Sequence, residues 1–313
     1  MVSPRPPSDK ARKNISLLCF RNEAGEIKKM STLYVVATPI GNLNDMSPHA
    51  VDTLKSVALI AAEDTRVTKK LTNHFGIDTP LISCHQHNEK GRAPEIVERM
   101  LTEDIDVAVV TDAGTPAISD PGVELVRAAA DAGIPVIAVA GPTAMAAAVS
   151  VSGFDFSSFT FYGFLPRGNT ELKEKLLDIG RKSEGAVFHE SPHRIKALVS
   201  AIRDALPGAL LSVSCDLTKL HELTLRGTPD AILAALEANE KSEKGEYCVV
   251  ADLRSVTLPE EKPTVQASLE ARLFDLLLNG LSLRDAVSAL VAAGEKKNAV
   301  YAASLKVKEY VDV

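Results

Sequence analysis

The chain has 313 residues, 35 Lys and Arg against 41 Asp and Glu, and a formal net charge of −6. That balance argues against a general polyanion binder, because sequence-independent grip on a phosphate backbone comes from clustered cations that release counterions. Hydrophobic residues at 45% and charged residues at 24% mark an ordinary globular protein long enough for about two domains, and 4% aromatics with no Trp weaken any reading as an aromatic platform for single-stranded bases. Residues 1–29 are basic, with seven Lys/Arg and three acids, but lack the apolar stretch and cleavage site of a secretory signal. Met30-Ser31 precedes a strand-like run, so residues 1–30 are expected to be a disordered leader or an artefact of the assigned start, with Met30 as the true one.

From residue 33 onward short β-branched runs alternate with amphipathic stretches. Strands are expected over residues 33–37, 57–62, 80–84, 106–111 and 134–139, and helices over 48–55, 65–75, 93–101, 121–132 and 143–151. Nearly continuous apolar strands alternating with helices predict a doubly wound α/β domain over 31–152, with ligands beyond the carboxyl ends of the strands. A Ser/Gly/Asp-containing connection at 152–158 leads to a second α/β domain over 153–254. Its strands are expected at 159–163, 185–189, 209–214, 221–226 and 247–253, its helices at 169–182, 192–205 and 229–238, and adjacent strands suggest a mixed sheet. Residues 258–263 read as a linker, and helix-period leucines broken at Gly280 and Gly294 predict a small helical appendix over 264–313. No apolar run approaches the ~20 residues needed to cross a bilayer. Cys19, Cys84, Cys215 and Cys248 lie far apart, which excludes a CxxC motif and fits a reducing cytoplasm.

The densest signal is TDAGTPAISDPG at residues 111–122, after a buried strand and before a helix. Its glycines and prolines let backbone approach a ligand, and Asp112 at the strand end can accept hydrogen bonds. Asp120-Pro121 reads as a helix cap with proline in the first turn. GxGxxG and GxxxxGK[ST] are both absent, which disfavours NAD enzymes and NTPases and favours a small cofactor without phosphates. TPIGNL at 38–43 and AGPTA at 140–144 follow two further strands, and three such turns at one edge of a sheet predict one pocket. Glu63-Asp64-Thr65-Arg66 suits a polar ribose-phosphate group, against a plain helix start capped by Asp64. His85 and His87 share one side of an extended segment; hydrogen bonding to RNA competes there with a structural strand end, and no further ligands support a metal. Ser191-Pro192 reads as a helix cap, with Glu190 and Arg194 as a possible substrate-orienting pair.

Nine motifs, ATPIGNL, AEDTR, SCHQHNE, TDAGTPAISDPG, AGPTA, FYGFLPR, HESPHR, LTKLHE and KGEYCVV, stand in an order and spacing that resembles the ribosomal RNA small subunit methyltransferase I family. The resemblance runs from residue 33 to 253, and the helical tail is similar to that family's C-terminal appendix. It implies a tetrapyrrole (corrin/porphyrin) methylase-like fold, two α/β domains with the cofactor cleft between them, and S-adenosyl-L-methionine as cofactor. It implies methylation of the 2′-hydroxyl of a cytidine in the decoding centre of 16S rRNA, on the assembled 30S subunit, by a cytoplasmic homodimer with no membrane partner and no metal. Carried over by position, Pro39, Leu43, Asp112, Gly114, Thr115, Ile118, Ser119, Thr143, Ala144, Phe164 and Leu165 would hold the cofactor.

The candidate catalytic groups are Glu190, Lys219 as an orienter, and His85, because a ribose hydroxyl is a weak acid that a base helps. Expected RNA contacts are Asp64, Arg66, His87, Asn88, Arg167 and Arg194. Where the family usually has Arg-Glu before Leu-Thr-Lys, this chain has Cys215-Asp216, so a cation is replaced and the acid is one methylene shorter. The alternative activity is C-methylation of a tetrapyrrole, since the cofactor fold is shared, and a non-catalytic ribosome assembly factor is a third reading. Without the leader the chain carries 28 Lys/Arg against 38 acids, or −10, while residues 166–203 carry eight against five. That predicts poor binding to naked RNA and a single basic face for a shaped ribosomal surface.

Overall fold

The computed structural model describes residues 31–258 and 267–310 together with the backbone of 19–21 and 27–29. Within the expected leader, β1 (Cys19–Arg21) and β2 (Ile27–Lys29) pair as an antiparallel ribbon; the rest of it, the proposed start at Met30 and most of the linker lie outside the described residues.

Strands β3 (Leu33–Val36), β4 (Leu59–Ala62), β5 (Leu81–Ser83), β6 (Val107–Val110) and β7 (Val136–Val139) form one sheet in the order β5-β4-β6-β3-β7, and every pair is parallel. The connecting helices are α1 (Pro48–Ser56), α2 (Thr65–Phe75), α3 (Glu89–Glu103), α4 (Val123–Asp131) and, leaving the sheet, α5 (Ala144–Ser152). Successive strand residues face opposite sides, so Leu33, Leu59 and Val107 pack with Ile96, Met100 and Leu125, while Tyr34, Val36 and Ile60 pack with Leu54 and Ile77. Both faces are covered, which is why these strands read as unbroken apolar runs.

Three helix starts differ from the sequence expectation. α3 begins four residues earlier than residue 93 and continues through Pro94. α4 begins at Val123 after Gly122, so Asp120 is not its cap and Pro121 is not in its first turn; Glu89 Oε1 instead accepts from the backbone N–H groups of Gly122 and Glu124, both at 2.8 Å. α7 (Ile195–Ala205) begins three residues after Pro192, because the Ser191 carbonyl accepts from the N–H groups of Arg194 and Ile195 and closes a turn ahead of the helix. Asp64 does cap α2, accepting from Arg66 N.

The second half holds β8 (Thr160–Phe164), α6 (Asn169–Lys182), β9 (Gly185–Glu190), α7, β10 (Leu210–Cys215), β11 (Leu223–Gly227), α8 (Pro229–Ala238) and β12 (Tyr247–Asp252). Its sheet order is β11-β10-β12-β9-β8; β8 and β9 are parallel and the other pairs antiparallel, the mixed sheet expected from adjacent strands. One face packs Phe188, Val213 and Val249 against Leu176, Ile179, Leu198 and Ile202 of α6 and α7. The other face is covered by α5, whose Ala148 packs with Val187, Cys248 and Val250. Arg226 of β11 completes this join by donating to the Val151 and Ser152 carbonyls at the end of α5. A helix that follows the first sheet in sequence therefore belongs to the core of the second, and the two halves form one compact unit up to Leu258.

The remaining unit is a small helical one, as expected: α9 (Leu269–Leu278), α10 (Leu283–Ala292) and α11 (Lys297–Tyr310) enclose Leu273, Ala286, Leu290, Val300 and Val307. Ion pairs Arg272–Glu295 at 2.5 Å and Lys306–Glu270 at 3.2 Å tie its ends together. Among the described residues no helix is long and apolar enough to cross a membrane.

Candidate active site

The turns that follow β3, β6 and β7 are tied to one another. Thr38 and Gly114 exchange two backbone hydrogen bonds of 2.8 and 3.1 Å, Thr38 Oγ1 donates to the Thr111 carbonyl at 3.1 Å, and Thr115 Oγ1 donates to the Pro142 carbonyl at 3.1 Å. They form one wall of a cavity of ≈430 Å³ whose other wall comes from the ends of β8, β9 and β12. That size lies in the range of small-ligand sites.

Of the residues expected to hold a cofactor, Asp112, Gly114, Thr115, Ile118, Ser119, Thr143, Ala144 and Phe164 line this cavity. Pro39, Leu43 and Leu165 do not. Pro39 is buried beside the lining residue Ile40, Leu43 begins an exposed 3-10 turn, and Leu165 packs in the core of the second half. The long turn is strained where it meets the cavity, with Ala117 and Ser119 in the left-handed region at φ 67° and 66°. Gly163, at φ 61° beside the irregular register of β8, lets the second half approach: a Cβ there would lie 3.0 Å from Ser119 Oγ. Glycine is favoured at that point by the left-handed backbone, and a larger residue would also have to displace the Ser119 hydroxyl.

One wall is acidic. Glu63 Oε2 accepts from Asp112 N at 3.2 Å, and Asp112 Oδ1 accepts from Asp64 N at 3.1 Å. Burial and the neighbouring carboxylates raise the pKa of both Glu63 and Asp112. Asp120 is exposed as a residue, yet partial burial of its carboxyl, followed by the charges of Glu63 and Asp112, pushes its pKa up to about 6. No Lys or Arg lines the cavity, and none of these three acids forms an ion pair with a described residue. Among the described residues no group of acids, histidines and cysteines is arranged to hold a metal.

Glu190 lies on the opposite wall and is 3% exposed. Its Oε1 accepts from Ser191 N at 2.8 Å, while its buried Oε2 has no hydrogen-bond partner and stands 3.4 Å from Arg194 Nη2. Arg194 Nη2 also donates to the Pro166 carbonyl at 2.9 Å, so Glu190, a cavity-lining residue, keeps one carboxylate oxygen paired in charge with Arg194 but without a hydrogen bond. Beside it the His189 ring sits edge-on to Phe161 and tilted against Phe164, with burial lowering its pKa, so it is neutral near pH 7.

Lys219 and His85 lie outside the cavity lining. Lys219 Nζ is held by Asp216 at 2.7 Å and by Glu246, itself a lining residue, at 3.0 Å. His85 Nδ1 accepts from His87 N at 3.2 Å, and Asn88 is engaged in the same turn, accepting from His85 N at 2.8 Å and donating to the Ser83 carbonyl. His87 and Arg167 are exposed, and Arg66, 87% exposed, pairs with Asp64 at 2.6 Å. None of the expected RNA contacts lines the cavity. Sequence reasoning assigned no ligand role to Asp120, His189, Leu217 and Tyr247, all of which line it. All four stand inside motifs that were legible as strings, at strand ends or in turns, where the sheet directs side chains to the cleft.

Comparison with known proteins agrees with this architecture. A family model described as Tetrapyrrole (Corrin/Porphyrin) Methylases matches residues 32–232. A Synechocystis protein named Ribosomal RNA small subunit methyltransferase I is 43% identical over 255 residues, covering 81% of this chain and 89% of its own length. The Pseudomonas aeruginosa protein of that name is 40% identical over 88% of this chain and 97% of its own. Among solved structures, the methyltransferase CobJ superposes with a TM-score of 0.53 at 18% identity, over 71% of this chain and 93% of its own, a likeness of fold. On the matched residues and these identities, the chain belongs to the ribosomal RNA small subunit methyltransferase I family of the tetrapyrrole (corrin/porphyrin) methylases.

Proposed function

We propose that this protein is an S-adenosyl-L-methionine-dependent methyltransferase that acts on the 2′-hydroxyl of a cytidine in the decoding centre of 16S rRNA, on the assembled 30S subunit. The observation that carries the cofactor assignment is the charge of the cavity: Glu63, Asp112 and Asp120 on one wall, with no Lys or Arg in its lining. Such a wall repels phosphate and attracts a cation, and S-adenosyl-L-methionine carries a sulfonium and an ammonium but no phosphate. When bound, the cofactor supplies an electrophilic methyl group.

The residues of the chain do the rest. Asp112 and Asp120 hold positive charge, the close turns at Gly114 and Gly163 shape the cleft, and Phe164 gives it an apolar surface. Glu190, whose Oε2 lacks a hydrogen-bond partner, accepts the proton of the acceptor hydroxyl, oriented by Arg194. Lys219 positions Glu246, and the exposed His87, Arg66 and Arg167 contact RNA. The relatives' name, which specifies small-subunit ribosomal RNA, supports rRNA over a tetrapyrrole as the substrate. A cytoplasmic homodimer, as the family resemblance implies, completes the reading.

Two measurements test it. Calorimetry with S-adenosyl-L-methionine is expected to show binding that Asp112→Ala abolishes, and unchanged affinity refutes the assigned pocket. Radiolabelled methyl incorporation into 30S subunits from a strain lacking the enzyme is expected to map to one cytidine 2′-oxygen; label on a base or only on a tetrapyrrole overturns the assignment.

A further inference from the structure

Glu89 begins α3, yet its carboxylate belongs to a different part of the molecule. The side chain is 6% exposed, and Oε1 accepts from Gly122 N and Glu124 N at 2.8 Å and from Leu125 N at 3.4 Å. These are the N–H groups at the start of α4, which receives no side-chain cap from its own N-cap residue, Gly122. Gly122 is also the end of the cavity-lining turn. The turn folds back on itself through a hydrogen bond from Ala117 N to the Pro121 carbonyl at 3.0 Å, and a Cβ on Gly122 would meet Ala117 N at 3.2 Å. Between those closures lie Ile118, Ser119 and Asp120, all on the cavity wall, with Ala117 and Ser119 in left-handed backbone. A conformation of that kind persists only where its surroundings hold it.

The backbone of Glu89 is tied elsewhere. Its N–H donates to the His85 carbonyl at 2.9 Å, within the turn that presents His85 and His87. One residue thus joins that turn to the wall of the cavity.

We propose that Glu89 is a positioning residue for the cofactor: its buried carboxylate fixes the strained 117–122 turn so that Ile118, Ser119 and Asp120 are arranged for ligand before it arrives. The inference rests on the reading that the cavity holds S-adenosyl-L-methionine. The arrangement acts on binding rather than on the acceptor hydroxyl, which faces Glu190 on the other wall.

The test measures S-adenosyl-L-methionine affinity by calorimetry and kcat and KM on 30S subunits for the wild type, Glu89→Ala and Glu89→Gln. Glu89→Ala is expected to raise Kd and the cofactor KM at least ~10-fold while kcat at saturating cofactor stays within about threefold. Glu89→Gln, whose amide oxygen still accepts from Gly122 and Glu124, is expected to return Kd to within about threefold of wild type. Faster amide exchange at Gly122 and Glu124 in Glu89→Ala, with α3 unchanged, accompanies that result. Wild-type Kd in Glu89→Ala, or a loss confined to kcat, overturns the proposal. If Glu89→Ala does not fold, Glu89→Asp carries the test, since it withdraws the carboxylate by one methylene: a raised Kd at unchanged kcat supports the proposal and a wild-type Kd overturns it. If the wild-type protein binds no S-adenosyl-L-methionine, the reading of the cavity falls and this inference with it; if wild type binds and Glu89→Ala matches it, this inference alone falls.

Discussion

Gly41 leaves no room for a side chain against Lys219: a Cβ built on it would lie 2.4 Å from Lys219 Cγ and 3.2 Å from the Leu217 carbonyl oxygen. This is where the turn after β3 meets the Leu-Thr-Lys turn of the second half, and the adjacent residues Ile40 and Leu217 both line the cavity. Thr218 and Asp216 hold left-handed backbone there, at φ 67° and 52°, so the second-half turn has little freedom to yield. Gly41→Ala is therefore expected to separate the two turns and weaken cofactor binding by ~10-fold, with circular dichroism unchanged. Calorimetry on the purified variant checks it, and wild-type affinity would show that the turns part without disturbing the site.

The acidic wall makes cofactor affinity depend on pH. Asp120 has a pKa of about 6 in the folded protein, above its ordinary 3.8, because of burial and of Glu63 and Asp112. Between those values the native protein binds a proton that the unfolded chain releases, so this group's contribution to stability falls as pH rises from 4 toward 6 and levels off above. A cationic ligand has the opposite dependence, since it favours the ionised carboxylate. Affinity for S-adenosyl-L-methionine is expected to rise between pH 5 and 7, and Asp120→Asn to flatten that rise; calorimetry across the range reads both slopes.

Glu190 separates binding from chemistry. The residue lines the cavity, its buried Oε2 has no hydrogen-bond partner, and its other oxygen is held by Ser191 N. Glu190→Gln keeps the shape and removes the base, so kcat is expected to fall by ~10²-fold or more with cofactor Kd within about threefold. Single-turnover transfer to 30S subunits measures the first quantity and calorimetry the second; an unchanged kcat would remove Glu190 from the mechanism.

Core energetics provide an independent check on the fold. Phe188 on β9 is fully buried between α6 and α7 and stacks on Tyr162. Phe188→Ala is expected to destabilise the protein by about 3–5 kcal/mol, through lost burial plus the cavity left behind. Urea unfolding would show this as a lower midpoint at constant slope.

Much of this molecule was legible before any coordinates. The alternation of apolar strands and amphipathic helices specified the parallel first sheet, and crowded strands specified a mixed second one, because periodicity is a local property of side-chain placement. Three Gly/Pro turns at strand ends predicted one pocket, and eight of the eleven expected cofactor contacts do line it. Asp64 was recognisable as a cap because its partner, Arg66 N, is two residues away.

Local pattern misassigned residues whose partners or packing are set elsewhere in the chain. Asp120 resembles a cap, yet α4 is capped from 33 residues upstream by Glu89, which frees Asp120 for the cavity. Helix α5 continues the first domain by pattern but packs on the second sheet. Lys219 carries an ammonium suited to substrate, and the fold turns it toward the lining residue Glu246, 27 residues on, as well as toward its neighbour Asp216. The chemical character of the pocket, acidic and lacking Lys or Arg, likewise arises only when Glu63 from the turn after β4 converges with Asp112 and Asp120 from the long turn after β6. A carboxylate's role depends on which donors and charges surround it, and those are set by packing across the cleft rather than by its neighbours along the chain.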